Sequence, residues 1–318
     1  MDDPAGLLTA FRAGEPRALA RAISRCESGR GADLIRALYP LTGRALTVGL
    51  TGPPGVGKST LSGALIAHVR AQGKTVGVIS VDPSSPFSHG ALLGDRIRLL
   101  EHFTDPDVFI RSMASRGHLG GLSGATADAV SLMDAFGKDV VLIETVGVGQ
   151  SETMVADTTD CFLALMLPGA GDELQGIKRG LLELVDVIAV NKADGATRLA
   201  AELAARQCTT ALQSLAGRDR EMPVVLTCSA LDHRGVDAVW DAIERRYLQA
   251  QSSGGLAALR KRQSLRWLWA IVEDRLRQSV RTHPAVTVIR EQLETGVLEG
   301  AIPPEAAARQ ILQAFGLV

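Results

Sequence analysis

From about residue 44 onward, short uniformly apolar runs alternate with longer segments whose apolar residues recur every three or four positions. The first pattern predicts strands buried on both faces, over 45–50, 75–81, 108–113, 139–144, 161–166, 185–190 and 223–228. The second predicts helices between them, as in Leu61, Leu65, Ile66 and Val69. Strands and helices in alternation specify an α/β fold, a mainly parallel sheet with helices on both faces.

Outside that region the alternation disappears. Residues 1–40 carry short helical patterns, built on Leu7, Leu8 and Phe11, then Leu19, Ile23 and Cys26, then Leu34, Ile35 and Leu38. Such short helices cannot hold a fold alone and are expected to pack on the sheet domain. After Gln251-Ser252-Ser253-Gly254-Gly255, read as a hinge, only helices are predicted. One carries Leu265, Leu268, Val272 and Leu276, the next Val286, Ile289, Leu293 and Val297, and Pro303-Pro304 opens a third with Ile311, Leu312 and Phe315. The expected organisation is therefore an N-terminal helical extension (1–40), an α/β domain (41–250) and a C-terminal helical region (251–318). Three helices make a marginal core, so their stripes are expected to pack on the α/β domain or on a second copy. Arg260, Lys261, Arg262, Arg266, Arg275, Arg277 and Arg281 read as a solvated helix face rather than an RNA-binding one.

In a doubly wound sheet, ligands gather at the carboxyl ends of the strands. The first strand runs directly into Gly52-Pro53-Pro54-Gly55-Val56-Gly57-Lys58-Ser59-Thr60, which fits G-x-x-x-x-G-K-S and opens a helix. This is a phosphate cradle, and it makes the expected fold that of a P-loop NTPase. Its glycines let successive backbone N–H groups face phosphate oxygens, and the helix N-terminus adds positive potential. Lys58 would neutralise the β and γ phosphates, and the Ser59 hydroxyl would hold a Mg²⁺ between them.

Asn191-Lys192-Ala193-Asp194 follows a second buried strand. The Asp194 carboxylate can accept from the ring imino and exocyclic amino groups of guanine, whereas adenine lacks the ring proton and would strand a charged acceptor. Lys192 would lie along the base, and Asn191 would brace the loop. Ser229, Ala230 and Leu231 would meet the carbonyl side of the base. GTP is therefore the expected nucleotide, with GDP as the product.

Glu144-Thr145-Val146-Gly147 stands where a GTPase normally carries D-x-x-G. Gly147 would approach the γ phosphate, and Glu144 would reach Mg²⁺ directly or through water. Lys58, Glu144 and Gly147 are thus the catalytic candidates. Gln150 lies three residues beyond Gly147, and no arginine finger is identifiable, which predicts slow intrinsic hydrolysis accelerated by a partner. Asp82 and Asp95 fit a metal shell, the first at a strand end and the second beside a switch-like loop. A helix or turn cap for Asp82 and an exposed ion pair with Arg96 or Arg98 for Asp95 are the alternatives. His89 and His118 have no partner at ligand spacing and read as loop residues.

Composition narrows the remaining possibilities. The formal charge of −1 gives no support to a nucleic-acid or anionic-membrane partner. No apolar run approaches the roughly 20 residues needed to cross a bilayer, and the acidic start Met1-Asp2-Asp3-Pro4 has no secretory character. Cys26, Cys161, Cys208 and Cys228 are far apart and read as reduced core residues of a cytoplasmic protein.

The segments GPPGVGKST, VDPSSP, GDRIRL, RSMASRGHLGGLS, ETVGVGQSE, LPGAGDELQGIKRG and NKADG closely resemble the MeaB/ArgK family of P-loop GTPases. These are chaperones of adenosylcobalamin-dependent acyl-CoA mutases such as methylmalonyl-CoA mutase. The resemblance is dense over residues 40 to 250. It implies a homodimer built through the C-terminal helices, and Lys58, Ser59, Asp82, Asp95 and Glu144 around phosphates and Mg²⁺. It further implies that residues 168–178 form an additional switch relaying nucleotide state to the mutase. Within them Asp172, Glu173 and Lys178 offer charges that can exchange partners; a merely solvated loop is the alternative. No cobalamin-binding signature is present in the sequence, so that cofactor is expected to belong to the partner. Rival readings are a GTPase inserting metal into another metalloenzyme, which would need a Cys or His cluster, and a kinase-type ATPase, which would need adenine preference.

Overall fold

A computed structural model describes residues 4–82, 99–114, 124–145, 155–169, 184–215 and 222–317. It divides into two compact units, residues 1–260 and 261–318.

The first unit is built on seven strands: β1 (Leu46–Thr51), β2 (Val76–Asp82), β3 (Val108–Ala114), β4 (Val140–Thr145), β5 (Cys161–Met166), β6 (Val187–Val190) and β7 (Val224–Thr227). They pair in the order β3-β2-β4-β1-β5-β6-β7, and every pairing is parallel. All seven expected strands are present, with ends moved by a residue or two. The order reverses at β1, so the crevice beyond its carboxyl end is where a ligand is expected in such a sheet.

Alternate side chains of the strands feed two separate cores. On one face Val48, Leu50, Val78, Leu142, Leu163 and Val187 meet α4 (Lys58–Ala71) and α7 (Val236–Ser252) through Leu61, Leu65, Val239, Trp240 and Ile243. On the other, Ile79, Val141, Ile143, Phe162 and Ile188 meet α5 (Gly124–Ala135) and α6 (Arg198–Leu215). Strands covered on both sides need no polar alternation, which is why they read as unbroken apolar runs.

The N-terminal helices α1 (Pro4–Arg12), α2 (Pro16–Glu27) and α3 (Ala32–Leu38) extend the second core. Their buried residues Leu7, Phe11, Leu19, Ile23, Leu34 and Leu38 share one cluster with Met133 of α5, and Phe11 meets Phe136 edge-on at 5.1 Å between ring centroids. The expectation that these helices pack on the sheet domain is met. All four cysteines are free and buried.

The hinge expected at 251–255 is a break of two residues: α7 ends at Ser252 and α8 (Gly255–Thr282) begins at Gly255, with Gly254 at φ 77°. Arg260, on the first turns of α8, departs from the solvated face read in the sequence. Its guanidinium forks onto both oxygens of Asp160, Nε to Oδ1 at 2.8 Å and Nη2 to Oδ2 at 2.7 Å, and donates to the carbonyls of Gly43 and Ala45. Asp160 Oδ2 also accepts from the Thr47 N–H and hydroxyl, both at 2.9 Å. Nearby, the Asp134 carboxylate accepts the N–H groups of Gly43, Arg44 and Ala45. The chain entering β1 is thus held from both sides.

In the second unit α9 (Pro284–Leu298) packs on α10 (Pro304–Phe315) through Val286, Leu293 and Ala307. His283 meets Phe315 edge-on at 5.3 Å. Leu265, Leu268, Trp269 and Leu276 of α8 are exposed.

Candidate functional site

The loop between β1 and α4 holds its shape because two glycines occupy places a side chain could not. Gly52 sits at φ 148°, and a Cβ there would lie 2.7 Å from the Leu165 carbonyl oxygen. Gly57 sits at φ 98°, and a Cβ would lie 2.6 Å from Nδ2 of Asn191. Val56 is fully buried and pins the loop to the core below it, while Pro54, Gly55 and Thr60 face outward. The Lys58 ammonium donates to the carbonyls of Gly52 at 2.7 Å and Pro53 at 3.2 Å, folding over the loop whose N–H groups would receive phosphate.

At the end of β4, flanked by Leu50 of β1 and Ser80 of β2, Glu144 is buried. Its Oε1 accepts from the Ser59 hydroxyl at 2.7 Å and its Oε2 from the Ser62 hydroxyl at 3.1 Å. The donor set of Ser59 and Glu144 is all oxygen. That fits Mg²⁺, which takes one or two protein oxygens and fills its remaining positions with water and phosphate.

The base-reading loops leave the ends of β6 and β7. The Asn191 N–H bonds the Met166 carbonyl and the Ala193 N–H bonds the Cys228 carbonyl, both at 2.9 Å, and between them Lys192 is held at φ 60°. Asn191 Nδ2 donates to the Val56 carbonyl at 2.8 Å, and its Oδ1 accepts from the Ala230 N–H at 3.0 Å and from the Cys228 thiol at 3.6 Å. Burial pushes the Cys228 thiol up to about 12, so it stays a donor at neutral pH. The Ser229 hydroxyl donates to Asp194 Oδ2 at 2.6 Å while accepting from the Asp232 N–H at 3.1 Å. That acceptance turns its proton toward the carboxylate. Leu231 is exposed beside this loop.

Two clusters therefore form: Lys58, Ser59 and Glu144 at the phosphate end, Asn191, Asp194, Ser229 and Ala230 at the base end, joined through Asn191 and Val56. Asp82 ends β2 beside Ala114. Asp95, Gly147, Asp172, Glu173 and Lys178 lie outside the described residues. Ser62 was missed in the sequence, although a serine in the otherwise apolar run Leu61–Ile66 was a visible signal. Among the described residues no group of three or more His, Cys, Asp or Glu side chains could hold a metal ion, and no helix is long and apolar enough to cross a membrane.

A parallel sheet with a P-loop after its central strand, and an N-K-x-D loop tied back to it, defines a P-loop GTPase. The chain belongs to the MeaB family: the family model described as methylmalonyl Co-A mutase-associated GTPase MeaB matches residues 19–285. A Caulobacter vibrioides relative is 47% identical over 312 residues, covering 96% of this chain and 95% of its own. GTPase ArgK of Escherichia coli is 39% identical over 308 residues, covering 95% and 93% of the two chains. The crystal structure of a protein described as LAO/AO transport system kinase superposes with a TM-score of 0.73 at 33% identity, over 98% of each chain.

Proposed function

We propose that this GTPase is a chaperone of an adenosylcobalamin-dependent acyl-CoA mutase such as methylmalonyl-CoA mutase, gating the loading of that cofactor and protecting it. The reading has it act as a cytoplasmic homodimer associated through the C-terminal helices. The family description, which couples the GTPase to that mutase, is the observation that carries the partnership. The exposed apolar residues Leu265, Leu268, Trp269 and Leu276 support self-association.

In this reading the backbone of Gly52 to Thr60 cradles the β and γ phosphates. Lys58 exchanges the Gly52 and Pro53 carbonyls for phosphate oxygens. Ser59 and Glu144 hold Mg²⁺, with Asp82 and Asp95 as further candidates for its shell. Bound there, a Mg²⁺ would neutralise phosphate charge. Asp194, oriented by Ser229, accepts from the guanine edge, Lys192 lines the base, and Ala230 and Leu231 meet its carbonyl side. Gly147 approaches the γ phosphate, while Asp172, Glu173 and Lys178 relay its presence to the mutase. Hydrolysis in the isolated protein is expected to be slow and accelerated by the mutase, since Gln150 stands three residues beyond Gly147 and the sequence offers no identifiable arginine finger.

Coupling between nucleotide and mutase must be reciprocal. The test is calorimetric titration of the mutase with GTP-loaded, GDP-loaded and empty protein, alongside hydrolysis rates with and without the mutase. Different affinities across the three states, matched by an equal change in nucleotide affinity, are expected. Equal affinities together with an unchanged hydrolysis rate would sink the proposal.

A further inference from the structure

We infer that Ser62 is a positioning residue for Glu144, fixing the carboxylate that faces the metal without itself touching the metal. This inference rests on the reading of Ser59 and Glu144 as the Mg²⁺-holding pair.

Ser59 and Ser62 are three residues apart on the first turn and a half of α4, so both hydroxyls project from one side of the helix. They take different oxygens of the same carboxylate: Ser59 bonds Oε1 and Ser62 bonds Oε2. Glu144 needs such a clamp. Its backbone is fixed by strands on both sides, but its side chain has one more rotatable bond than the aspartate usual at this place, so a fixed strand does not fix the carboxylate. Ser62 has no solvent exposure and lies a turn deeper than Ser59. A buried serine inside a helix commonly bonds back to the carbonyl four residues earlier. Ser62 instead directs its hydroxyl across to β4. Ser62 thus holds Oε2 against the helix whichever partner Oε1 takes.

The consequence is a Mg²⁺-specific one. Removing the Ser62 hydroxyl takes one donor from a buried carboxylate and loosens the hold on its Oε2, which weakens the metal site without altering the phosphate cradle or the base pocket. Ser62→Ala is expected to raise the Mg²⁺ concentration for half-maximal retention of a fluorescent GDP by about ten- to a hundredfold, the scale of one charge-assisted hydrogen bond. GDP affinity in EDTA should stay unchanged. Glu144→Asp, one methylene shorter, cannot reach both serines, so in that background Ser62→Ala should add nothing. Ser62→Cys, a weaker donor of similar shape, gives the same readout should the alanine variant not fold. An unchanged Mg²⁺ midpoint in the Ser62 variant, or an equal shift in the Glu144→Asp background, would overturn the inference while leaving the nucleotide site intact. GDP retention indifferent to Mg²⁺ in the unmodified protein would overturn the metal reading and this inference together.

Discussion

The side-chain amide of Asn191 donates to the backbone carbonyl of Val56 across 2.8 Å, linking the loop that would read the base to the loop that would hold the phosphates. Both partners are buried, and the other end of the amide accepts from Ala230. Asn191→Ala leaves the Val56 carbonyl and the Ala230 N–H without this partner. Stranding buried polar groups costs about 1–3 kcal/mol each. The expected outcome is a loss of about 2–6 kcal/mol of stability in urea titrations, accompanied by weaker binding of guanosine and of pyrophosphate alike. If only the base fragment weakened, the bridge would not join the two loops energetically.

Asp194 predicts a change of preference rather than a plain loss. Asparagine at this place exchanges one carboxylate oxygen for an N–H donor, which opposes the exocyclic amine of guanine but suits the carbonyl that xanthine carries there. Asp194→Asn is expected to lower GTP affinity at least about hundredfold, the scale of two charge-assisted bonds, and to favour xanthosine triphosphate over GTP. Competition against a fluorescent nucleotide measures both. Because the Ser229 hydroxyl points its proton at Asp194, Ser229→Ala should weaken GTP binding in the same direction by a smaller factor.

The parallel sheet was legible because each strand is buried on both faces, and burial on both faces writes a continuous apolar run. The P-loop and the Asn191–Asp194 loop were legible for a different reason: backbone approach and buried polar recognition restrict residue type position by position. Arg260 was not legible. Seven basic residues crowd one helix, and what separates Arg260 from the rest is Asp160, 100 residues away and in contact only once the sheet has formed. The role of Asp134 was hidden likewise, since its three acceptances come from backbone N–H groups that carry no residue signal. Glu144 was readable from its motif, but the serine holding its second oxygen belongs to another element and appears only when α4 is laid against β4.

Arg260 makes its own prediction. Its partner Asp160 is nearly fully buried, with only 2% of its side chain exposed, against 25% for the arginine. Removing the cation leaves a buried carboxylate with only the Thr47 donors from this network, and breaking a pair of that kind costs about 3–5 kcal/mol. Arg260→Ala is expected to destabilise the first unit by about that amount in chemical denaturation. Arg260→Lys keeps the charge but not the fork, and should recover no more than part of the loss. A full recovery by lysine would show that charge alone matters there.

The four thiols give the protein an alkaline limit. Burial pushes Cys26 up to about 12, Cys208 to about 11 and Cys228 to about 12, and raises Cys161 well above its ordinary value. At Cys26 the nearby Asp128 adds to the effect of burial. These groups stay protonated in the folded chain while the unfolded chain ionises them above its ordinary value of 9.0. The proton therefore binds the folded state more tightly, and the stability this confers is complete below pH 9 and lost as pH rises toward 11 or 12. By pH 10 each thiol favours unfolding by about 1.4 kcal/mol relative to neutral pH. The urea midpoint should accordingly fall between pH 8 and pH 10, and Cys208→Ala should flatten that fall. At pH 8 a thiol reagent is expected to titrate none of the four cysteines in the native protein and all four in denaturant; rapid native labelling would mean that the cores around them open far more readily than their packing implies.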